Sequence, residues 1–404
     1  MPNLSTPQDV KDALHQSLSV LRSLEECALL DYPNHSNLGD HLIWLGDILY
    51  LSKTAKIKIK YTAHANSFSE DDLERKAGKS PIIFHGGGNL GDLWAKYQNC
   101  REKIIARYHD RPIFILPQSI YFKSQENLQK TAKIFNSHPD LTIFVRDDYS
   151  YAIAGEHFGN CRIIKAPDMA FEMVNLPALP NITATKNSIL YIDRVDTERN
   201  SAFSASKLEI PDLVVEDWIS LQWMNKLPEK WVYIPGLARL IREGWQRGLA
   251  TPNQWLSRQK WELFHPYASV FKDIDNPRLH QKSWSLMHSG IYQLKQYPIV
   301  ITNRLHVHIL CLLSKKITQM KLVEEVKKQS SKWITTVDIR YSYFYWQDGY
   351  GIFSVNPSQL EIVVKYIKNQ EEHHKKKTFK EEYIEFLRNF EIEYNTGHLF
   401  EWID

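Results

Sequence analysis

The segment Pro81-Ile-Ile-Phe-His-Gly-Gly-Gly-Asn-Leu-Gly-Asp-Leu-Trp94 decides the fold predicted for this chain. Its apolar residues Ile82–Phe84 are typical of a short, buried parallel strand. Three glycines follow, and glycine lets a chain turn sharply while its backbone N–H groups stay open to a ligand. Asn89 or Asp92 is then placed to cap a helix that begins near Leu93. The segment therefore predicts a strand, a glycine turn and a helix N-terminus, a geometry that binds anions or sugar hydroxyls.

The sequence Asn-Leu-Gly-Asp occurs twice in the chain, at Asn37 and at Asn89. Each copy follows an apolar run and precedes a helical pattern. Two copies in the same context indicate paired loops at one edge of a single sheet.

The length and composition indicate a folded protein with more than one hydrophobic core. A chain of 404 residues is long for one ordinary domain, and 43% apolar with 24% charged residues is typical of a globular protein. The formal net charge of +3 is far from that of a dedicated nucleic-acid binder. The four cysteines are widely spaced and form neither a zinc pattern nor a disulfide framework. Neither a signal peptide nor a membrane-spanning stretch is apparent, so we expect a cytoplasmic protein whose membrane contact is at most peripheral.

Apolar runs alternate with helical patterns through the first half of the chain, which predicts a doubly wound parallel sheet. The predicted strands are 28–30, 57–61, 82–84, 113–116, 141–145 and 161–165. Polar clusters follow several of them, namely His85 with three glycines, Pro117-Gln-Ser119, Arg146-Asp-Asp148 and Ala166-Pro-Asp168. In such sheets the ligand crevice lies beyond the carboxyl ends of the strands, so we expect these clusters to share a cleft.

A run of prolines and small polar residues from Asn175 to Asn187 is typical of a linker. We therefore predict an N-terminal Rossmann-like domain at 1–177 and a second α/β domain at 188–370. The predicted strands of the second domain are 188–194, 231–235 and 298–304, and Trp-rich helices lie between the last two. Residues 371–404 form a charged segment with a final helix.

Two common motifs are considered and set aside. Gly86 to Gly91 satisfies the glycine pattern of dinucleotide folds, but Asp110, the nearest acid at the expected distance, precedes its strand instead of ending it. His306 and His308 diverge on a helix, and no cluster of further ligands completes a metal site. The sequence thus predicts neither a nicotinamide cofactor nor a metal.

Arg304 and His306 follow an apolar strand and open an apolar helix. A guanidinium beside a helix N-terminus suits a phosphate or a carboxylate, and a histidine there can give or take a proton near neutral pH. The alternative is a histidine that only caps or packs the helix. Arg194, at the end of the first strand of the same domain, is a candidate for the same cleft.

The chain resembles the polysaccharide pyruvyl transferases. The matching segments occur in the same order over about residues 26 to 350: Asn37-Leu-Gly-Asp40 with Ile43-Trp-Leu-Gly46, Phe84 to Asp92, Pro117-Gln-Ser119, Val145-Arg-Asp147 with Ser150-Tyr151, Ala166 to Phe171, and Thr302-Asn-Arg-Leu-His306. The resemblance implies transfer of a pyruvate ketal from phosphoenolpyruvate, as co-substrate, to a sugar of a polysaccharide or glycan. It also implies two Rossmann-like domains facing a cleft, as in GT-B glycosyltransferases, with the donor held by Arg304, Leu305, His306 and Arg194.

The chemistry of this reaction assigns roles to the residues. His306 is the candidate acid that protonates the enol methylene, and Arg304 with Arg194 balances the anionic groups. Asp40 or Asp92 is the candidate base, and helix capping is an equally open role for each. The acceptor is a sugar, and a lipid-linked oligosaccharide is one candidate for it. We expect the acceptor to contact polar groups of the glycine segment and its neighbours: Asn37, His85, Gly86, Gly87, Gly88, Asn89, Gln118 and Ser119.

Two rival functions remain open at this point: a nucleotide-sugar glycosyltransferase of GT-B type, and a non-catalytic carbohydrate-binding relative. The chain also departs from the family pattern in its last quarter. Val307 stands where other members carry glycine, and the lysine-rich stretch Lys315–Lys332 resembles an insertion. The nearest match to a later family segment is Val337 to Tyr341.

Overall fold

The computed structural model describes residues 6–35, 37–174, 176, 188–193, 213–218, 252–302, 304–313, 365, 369 and 378–389. The chain divides into two compact units, Met1–Arg194 with Pro211–Lys316, and Val195–Ile210 with Ile317–Asp404. The predicted strand at 231–235 and Arg194 lie outside the described residues, as does most of the predicted linker. The division at the linker into two domains therefore stays a prediction.

The first unit contains a parallel sheet of seven strands. They are β1 Glu26–Leu30, β2 Lys58–Ala63, β3 Ile82–Phe84, β4 Gly87–Gly91, β5 Ile113–Tyr121, β6 Leu141–Val145 and β7 Arg162–Lys165. The order is β2-β1-β3-β5-β6-β7, and β4 pairs with the second half of β5. The six strands predicted from the sequence are all present, which confirms the predicted parallel α/β sheet.

Helices connect these strands and flank the sheet. They are α1 Pro7–Ser17, α2 Leu38–Leu49, α3 Glu70–Ala77, α4 Ala95–Arg107, α5 Gln125–Ser137 and α6 Asp148–His157. Short 3-10 turns lie at Leu18–Ser23, Asp92–Trp94 and Met169–Met173, and a π turn at Tyr50–Thr54 extends α2. Several helices begin at side-chain caps, as at Ser69, Ser124 and Asp147. No helix in the described part of the chain is long and apolar enough to cross a bilayer.

The strand order reverses between β1 and β3. The chain passes from β1 outward to β2 and then returns to the other side of β1, where Ala28 pairs with Ile82. At such a switch point the two following loops diverge and leave a crevice. The loops here are the ones that contain Asn37 and the three glycines, so the predicted pairing of these loops at one edge of the sheet agrees with the topology.

The glycine segment itself differs from the prediction. Gly87–Gly91 is a strand that continues the line of β3 along β5, and α4 begins only at Ala95. Neither Asn89 nor Asp92 caps that helix, because α4 has no side-chain cap. The reason is that β5 is longer than its apolar run: it extends to Tyr121 and offers backbone hydrogen bonds that the glycines take up.

A second parallel sheet lies in the same unit. Its strands are β8 Ile189–Ile192, β9 Leu213–Glu216 and β10 Ile299–Thr302, in the order β10-β8-β9. Its helices are α7 Pro252–Phe264, α8 Pro277–Lys295 and α9 Leu305–Leu313. The rings of Trp261 and Trp284 stack 4.1 Å apart, and each indole N–H donates to the other residue's carbonyl. These two tryptophans are buried core residues and not part of a carbohydrate or membrane surface.

Helix α2 is buried almost completely. Most of its residues are apolar, and buried residues lie on every side of it, as expected for a helix packed on more than one face. The turn at Met169–Met173, α8 and α9 all pack against it. The indole of Trp44 donates to His280 of α8 at 3.1 Å, and the hydroxyl of Tyr32 donates to the Leu279 carbonyl at 2.9 Å. Helix α2 therefore joins the first sheet to the helices of the second.

In the second unit the structure describes one helix, α10 Phe379–Asn389. Thr378 and Glu381 form a capping box at its N-terminus: the Thr378 backbone N–H donates to the Glu381 carboxylate at 2.9 Å, and the Glu381 N–H donates to the Thr378 hydroxyl at 3.3 Å. The final helix predicted from the sequence is thus confirmed.

Two helical glycines provide a matched test of the packing of α2. A methyl group on Gly46 would overlap the carbonyl oxygen of Met169, whereas one on Gly155 of α6 would meet no atom within 4 Å. We expect Gly46→Ala to lower the free energy of unfolding by about 1–3 kcal/mol through overpacking. Gly155→Ala is expected to raise it by roughly 0.5–1 kcal/mol, because alanine favours the helix. Urea unfolding of both variants measures the difference, and equal stability would contradict the close packing.

Candidate functional site

The carboxyl edge of the first sheet brings three polar side chains together. Arg146 follows β6, Asp168 follows β7, and Ser119 lies within β5. The Arg146 guanidinium donates through Nη1 to Asp168 at 2.5 Å and through Nε to the Ser119 hydroxyl at 2.9 Å. Its Nη2 lies 3.2 Å from the position that a Cβ on Gly88 would take. A cation is therefore fixed beside the glycine segment.

His306 reaches this edge from the second residue of α9. Its Nε2 lies 3.3 Å from the Asp168 carboxylate, and the ring lies directly against Gly39 in the first turn of α2. A Cβ on Gly39 would stand 2.6 Å from Nδ1, too close for any larger residue without movement of the ring. The glycine of the first Asn-Leu-Gly-Asp copy thus permits the contact between α9 and α2.

The carboxylate of Asp168 is ionised in this setting. Burial alone would raise its pKa, but the charges of His306 and Arg146 and the hydrogen bonds it accepts lower the pKa well below its usual range. One of these hydrogen bonds comes from the backbone N–H of Ala170 at 2.8 Å. Asp168 therefore presents a permanent negative charge between an arginine and a histidine.

Asn37 and Asp40 lie at the start of α2, on the same crevice. Asn37 is the N-cap: its side-chain oxygen accepts the N–H of Gly39 at 3.2 Å, while its amide donates to Asp40 at 2.9 Å. Oδ1 of Asp40 lies 3.7 Å from the position of a Cβ on Gly87, and Oδ2 lies 3.4 Å from Nε2 of His35. Burial lowers the pKa of His35. The two predicted loops thus line one crevice, with a partly exposed carboxylate between them.

Asn89 and Gln118 form a buried network under the glycine segment. Gln118 donates to the His85 carbonyl at 2.9 Å and to Asn89 at 3.0 Å, and it accepts the Asn89 N–H. Asn89 also donates to Asp31, which is held by the buried Arg101 at 2.9 Å and has a left-handed backbone with φ of 73°. Because their polar atoms are occupied, Asn89 and Gln118 shape the loop, and a direct contact with a sugar has no support here.

His85 is buried as well. Its Nδ1 lies 2.5 Å from the carboxylate of Asp47, which also accepts the backbone N–H of Gly86. Burial disfavours a charge on His85, but the neighbouring Asp47 outweighs it and raises the pKa of the imidazole. His85 and Asp47 therefore fix the beginning of the glycine segment from inside the protein.

Asp92 serves a different loop. Its carboxylate accepts the backbone N–H groups of Lys123 and Ser124, each at 2.8 Å, and the amide of Asn127 at 3.1 Å. Burial would raise its pKa, but these hydrogen bonds lower it. The contacts of Asp92 favour a structural role at the start of α5 over that of a catalytic base.

Arg304 is held by a buried carboxylate. Its Nε and Nη2 donate to the two oxygens of Asp217, which follows β9, at 2.6 and 2.7 Å. This bidentate pair fixes the guanidinium at the carboxyl edge of the second sheet. Leu305 is exposed, and Arg194 lies outside the described residues. Of the proposed donor residues, His306 is the one whose contact with the carboxyl edge of the first sheet is described, through Asp168.

The residues that sequence reasoning did not single out are Arg146, Asp168 and Asp217. Arg146 and Asp168 belong to two of the polar clusters that follow predicted strands. The expectation that these clusters share a cleft is the sequence signal that points to both residues. Asp217 follows a strand that the sequence analysis did not predict, because Leu213–Glu216 is a short apolar run in a long irregular segment.

Two family models match parts of the chain. A family model described as Transposase IS200 like matches residues 268–370. A larger match, to the family model of the polysaccharide pyruvyl transferases, covers residues 37–316 and ends at the C-terminal limit of the first compact unit. Residues 268–316 are common to both and contain α8, β10 and α9, which pack on α2 or pair with β8.

Individual relatives agree with the larger match. EpsO of Bacillus subtilis, which carries the name of a pyruvyl transferase, is 30% identical over 308 residues, covering 76% of this chain and 84% of EpsO. Pyruvyl transferase 1 of Schizosaccharomyces pombe is 25% identical over 297 residues, covering 72% of this chain and 64% of the yeast protein. This chain thus spans less than two thirds of the yeast relative. The family model and these relatives together show that the chain belongs to the polysaccharide pyruvyl transferase family.

Proposed function

We propose that the chain transfers the pyruvyl group of phosphoenolpyruvate to two hydroxyls of one sugar, forming a ketal. The observation that carries the proposal is the contact of His306 with Gly39 and Asp168, which brings the Arg-Leu-His motif to the loops of the first sheet. The proposal includes a GT-B-like arrangement with the donor on the side of the second sheet, and a reaction without a resident cofactor. Phosphoenolpyruvate is a cytoplasmic metabolite, so the proposed reaction is cytoplasmic.

The proposed chemistry begins with a proton transfer from His306 to the methylene carbon of the donor. The resulting oxocarbenium-like centre is attacked by the first sugar hydroxyl, and the second hydroxyl then displaces phosphate. One hydroxyl proton restores the acid at His306. A base accepts the proton of the second hydroxyl as it displaces phosphate and passes that proton to the departing phosphate. Arg146, beside Gly88, is a cation placed to balance the donor's negative charge at this edge.

Asp40 is the better candidate for the base. Its carboxylate is partly exposed in the crevice between the two loops, and it is oriented by Asn37. Asp92, in contrast, is committed to backbone N–H groups of another loop. The acceptor is a sugar or polysaccharide, and a lipid-linked oligosaccharide fits the same proposal.

Incubation with phosphoenolpyruvate and a panel of galactosides, glucosides and mannosides tests the function by mass spectrometry. The expected product carries the added mass of a pyruvate ketal and appears together with inorganic phosphate. Stabilisation by a nucleotide sugar and not by phosphoenolpyruvate in a thermal-shift assay would favour the glycosyltransferase alternative. Binding of sugars without any product would favour the carbohydrate-binding alternative.

Substitutions at His306 and Arg304 are expected to have different effects. His306→Ala removes the proposed acid, so the maximal rate should fall by about 10²–10⁴-fold with a nearly unchanged midpoint for phosphoenolpyruvate binding. Arg304→Ala should weaken donor binding about ten- to a hundredfold, since it removes a charged hydrogen bond. It should also destabilise the fold, because Asp217 is left buried without its partner.

Asp217→Asn is the matched control for Arg304→Ala, because it weakens the ion pair but keeps the arginine. Donor titration and thermal unfolding of both variants separate the two effects. If Asp217→Asn lowers donor affinity as much as Arg304→Ala does, Arg304 acts through the fold of the second sheet and not on the donor. A His306→Ala variant that keeps the saturated rate would show that the acid lies elsewhere.

We further propose that residues 317–404 are a segment of separate origin, and that residues 317–370 of this segment are related to IS200-like transposases. Three boundaries support this: the transferase match ends at residue 316, the first compact unit ends there, and the transposase match continues to residue 370. The lysine-rich stretch from Lys315 would then mark a junction instead of an insertion. Acidic residues slightly outnumber basic ones in 317–404, which does not favour binding to DNA phosphates, so we assign this unit no DNA-binding role.

An exchange of the C-terminal unit tests this origin. Residues 317–404 are replaced by the C-terminal part of Bacillus subtilis EpsO that follows the corresponding position. We expect the hybrid to transfer pyruvate at least as well as the original chain, because the replaced unit is not part of the transferase. If the original chain is active and the hybrid is inactive although it is folded, residues 317–404 are integral to the enzyme.

A further inference from the structure

The carboxylate of Asp168 is shared by three donors. Oδ1 accepts the backbone N–H of Ala170 at 2.8 Å, and Oδ2 faces both Nη1 of Arg146 at 2.5 Å and Nε2 of His306 at 3.3 Å. The side chain of Asp168 is buried, and those of Arg146 and His306 are nearly so. Among the described residues, one donor therefore faces Oδ1 of Asp168 and two donors face Oδ2, so both carboxylate oxygens are engaged.

An ionised carboxylate can only accept hydrogen bonds, so the nitrogen of His306 that faces it must carry the proton. That nitrogen is Nε2. In the neutral imidazole the lone pair then lies on Nδ1, the ring nitrogen that does not face Asp168. The absence of a side chain on Gly39 leaves room for the His306 ring at the start of α2.

We propose that Asp168 is the positioning residue of His306 and that Nδ1 is the atom that exchanges the proton with the substrate. This inference rests on the proposed function. In the charged imidazolium, the Nδ1 proton is transferred to the methylene carbon of the donor while Nε2–H stays bonded to Asp168. A hydroxyl proton of the sugar later returns to Nδ1, and Asp168 remains ionised throughout. Arg146 holds the carboxylate from its other side, so the ring has one orientation.

The tautomer of His306 can be measured without any substrate. Protein labelled with ¹⁵N in its histidines is studied by long-range ¹H–¹⁵N correlation at a pH high enough for His306 to be neutral. The signals that disappear in the spectrum of a His306→Gln variant are those of His306. We expect a protonated Nε2 and an unprotonated Nδ1 in the native protein. Asp168→Asn removes the charge that requires this tautomer, so the spectrum should shift towards protonated Nδ1. The reverse tautomer in the native protein would overturn the proposal.

Asp147→Asn is the matched control. Asp147 lies at the same sheet edge and accepts hydrogen bonds from the hydroxyl of Ser119 at 2.6 Å and the N–H of Ser150 at 2.7 Å, but no contact with His306 is among them. Its substitution should lower the midpoint of thermal unfolding without changing the His306 tautomer. If Asp147→Asn and Asp168→Asn alter the tautomer equally, the effect is a general loosening of the edge, and the specific role of Asp168 is wrong.

Kinetics provide the second readout. Asp168→Asn should lower the maximal rate at least tenfold, within the range that general acid catalysis contributes (about 10²–10⁴-fold), and leave the KM for phosphoenolpyruvate nearly unchanged. The alkaline limb of the pH–rate profile should move to lower pH, because the imidazolium loses a neighbouring negative charge. In a His306→Ala background the same substitution should cause little further loss, since both residues act as one unit.

Additive losses in the double variant, with an unmoved pH profile, would show that Asp168 acts through Arg146 or through the fold. The two levels of the proposal also fail differently. If the native protein produces no pyruvylated sugar but has the expected tautomer, the proposed function is wrong and the positioning by Asp168 stands. If the native protein is active but has the reverse tautomer, the function stands and the positioning role is wrong.

Discussion

The burial of helix α2 is the constraint on which the rest of the first unit depends. This helix fills the space between the first sheet and three other elements, and almost none of its surface reaches water. A buried helix must pair each polar side chain it contains. His41 pairs with Ser283 and the His35 carbonyl, Asp47 with His85, and Trp44 with His280. Each of these pairs links α2 to another element, so the same bonds that satisfy the helix also set the geometry of the crevice.

The crevice is built from carboxylates that each hold more than one partner. Asp168 joins an arginine of the first sheet to a histidine of the second, Asp31 joins Arg101 to Asn89, and Asp47 joins His85 to Gly86. Shared acceptors of this kind fix several side chains with one buried charge. The cost of burying each carboxylate is offset because it receives two or three hydrogen-bond donors, at least one of them from an arginine or a histidine. The site is therefore rigid before a substrate arrives.

Sequence patterns predicted the architecture better than the chemistry of single residues. Ile82–Phe84 is an apolar run of strand length, and Leu141–Val145 is apolar except for Thr142. Both are strands with the predicted bounds. The prediction of a helix start in the glycine segment is wrong, because this segment pairs as a strand with the second half of β5, which is distant in sequence. The structural roles of Asn89 and Asp92 could not be predicted for the same reason. A polar side chain that follows a strand can face either a ligand or a buried protein group. Only the position of that partner decides which, and local sequence does not contain it.

The contacts between α2 and α8 have a consequence for motion. Opening the two sheets like a hinge would break the bonds of Trp44 to His280, of Tyr32 to Leu279 and of His41 to Ser283 in a region without water. Each such bond contributes about 0.5–1.5 kcal/mol, and the exposed apolar surface adds to the cost. Separation of the two sheets therefore carries a free-energy cost both from buried hydrogen bonds and from exposed apolar surface, and the packing around α2 favours the sheets staying in contact.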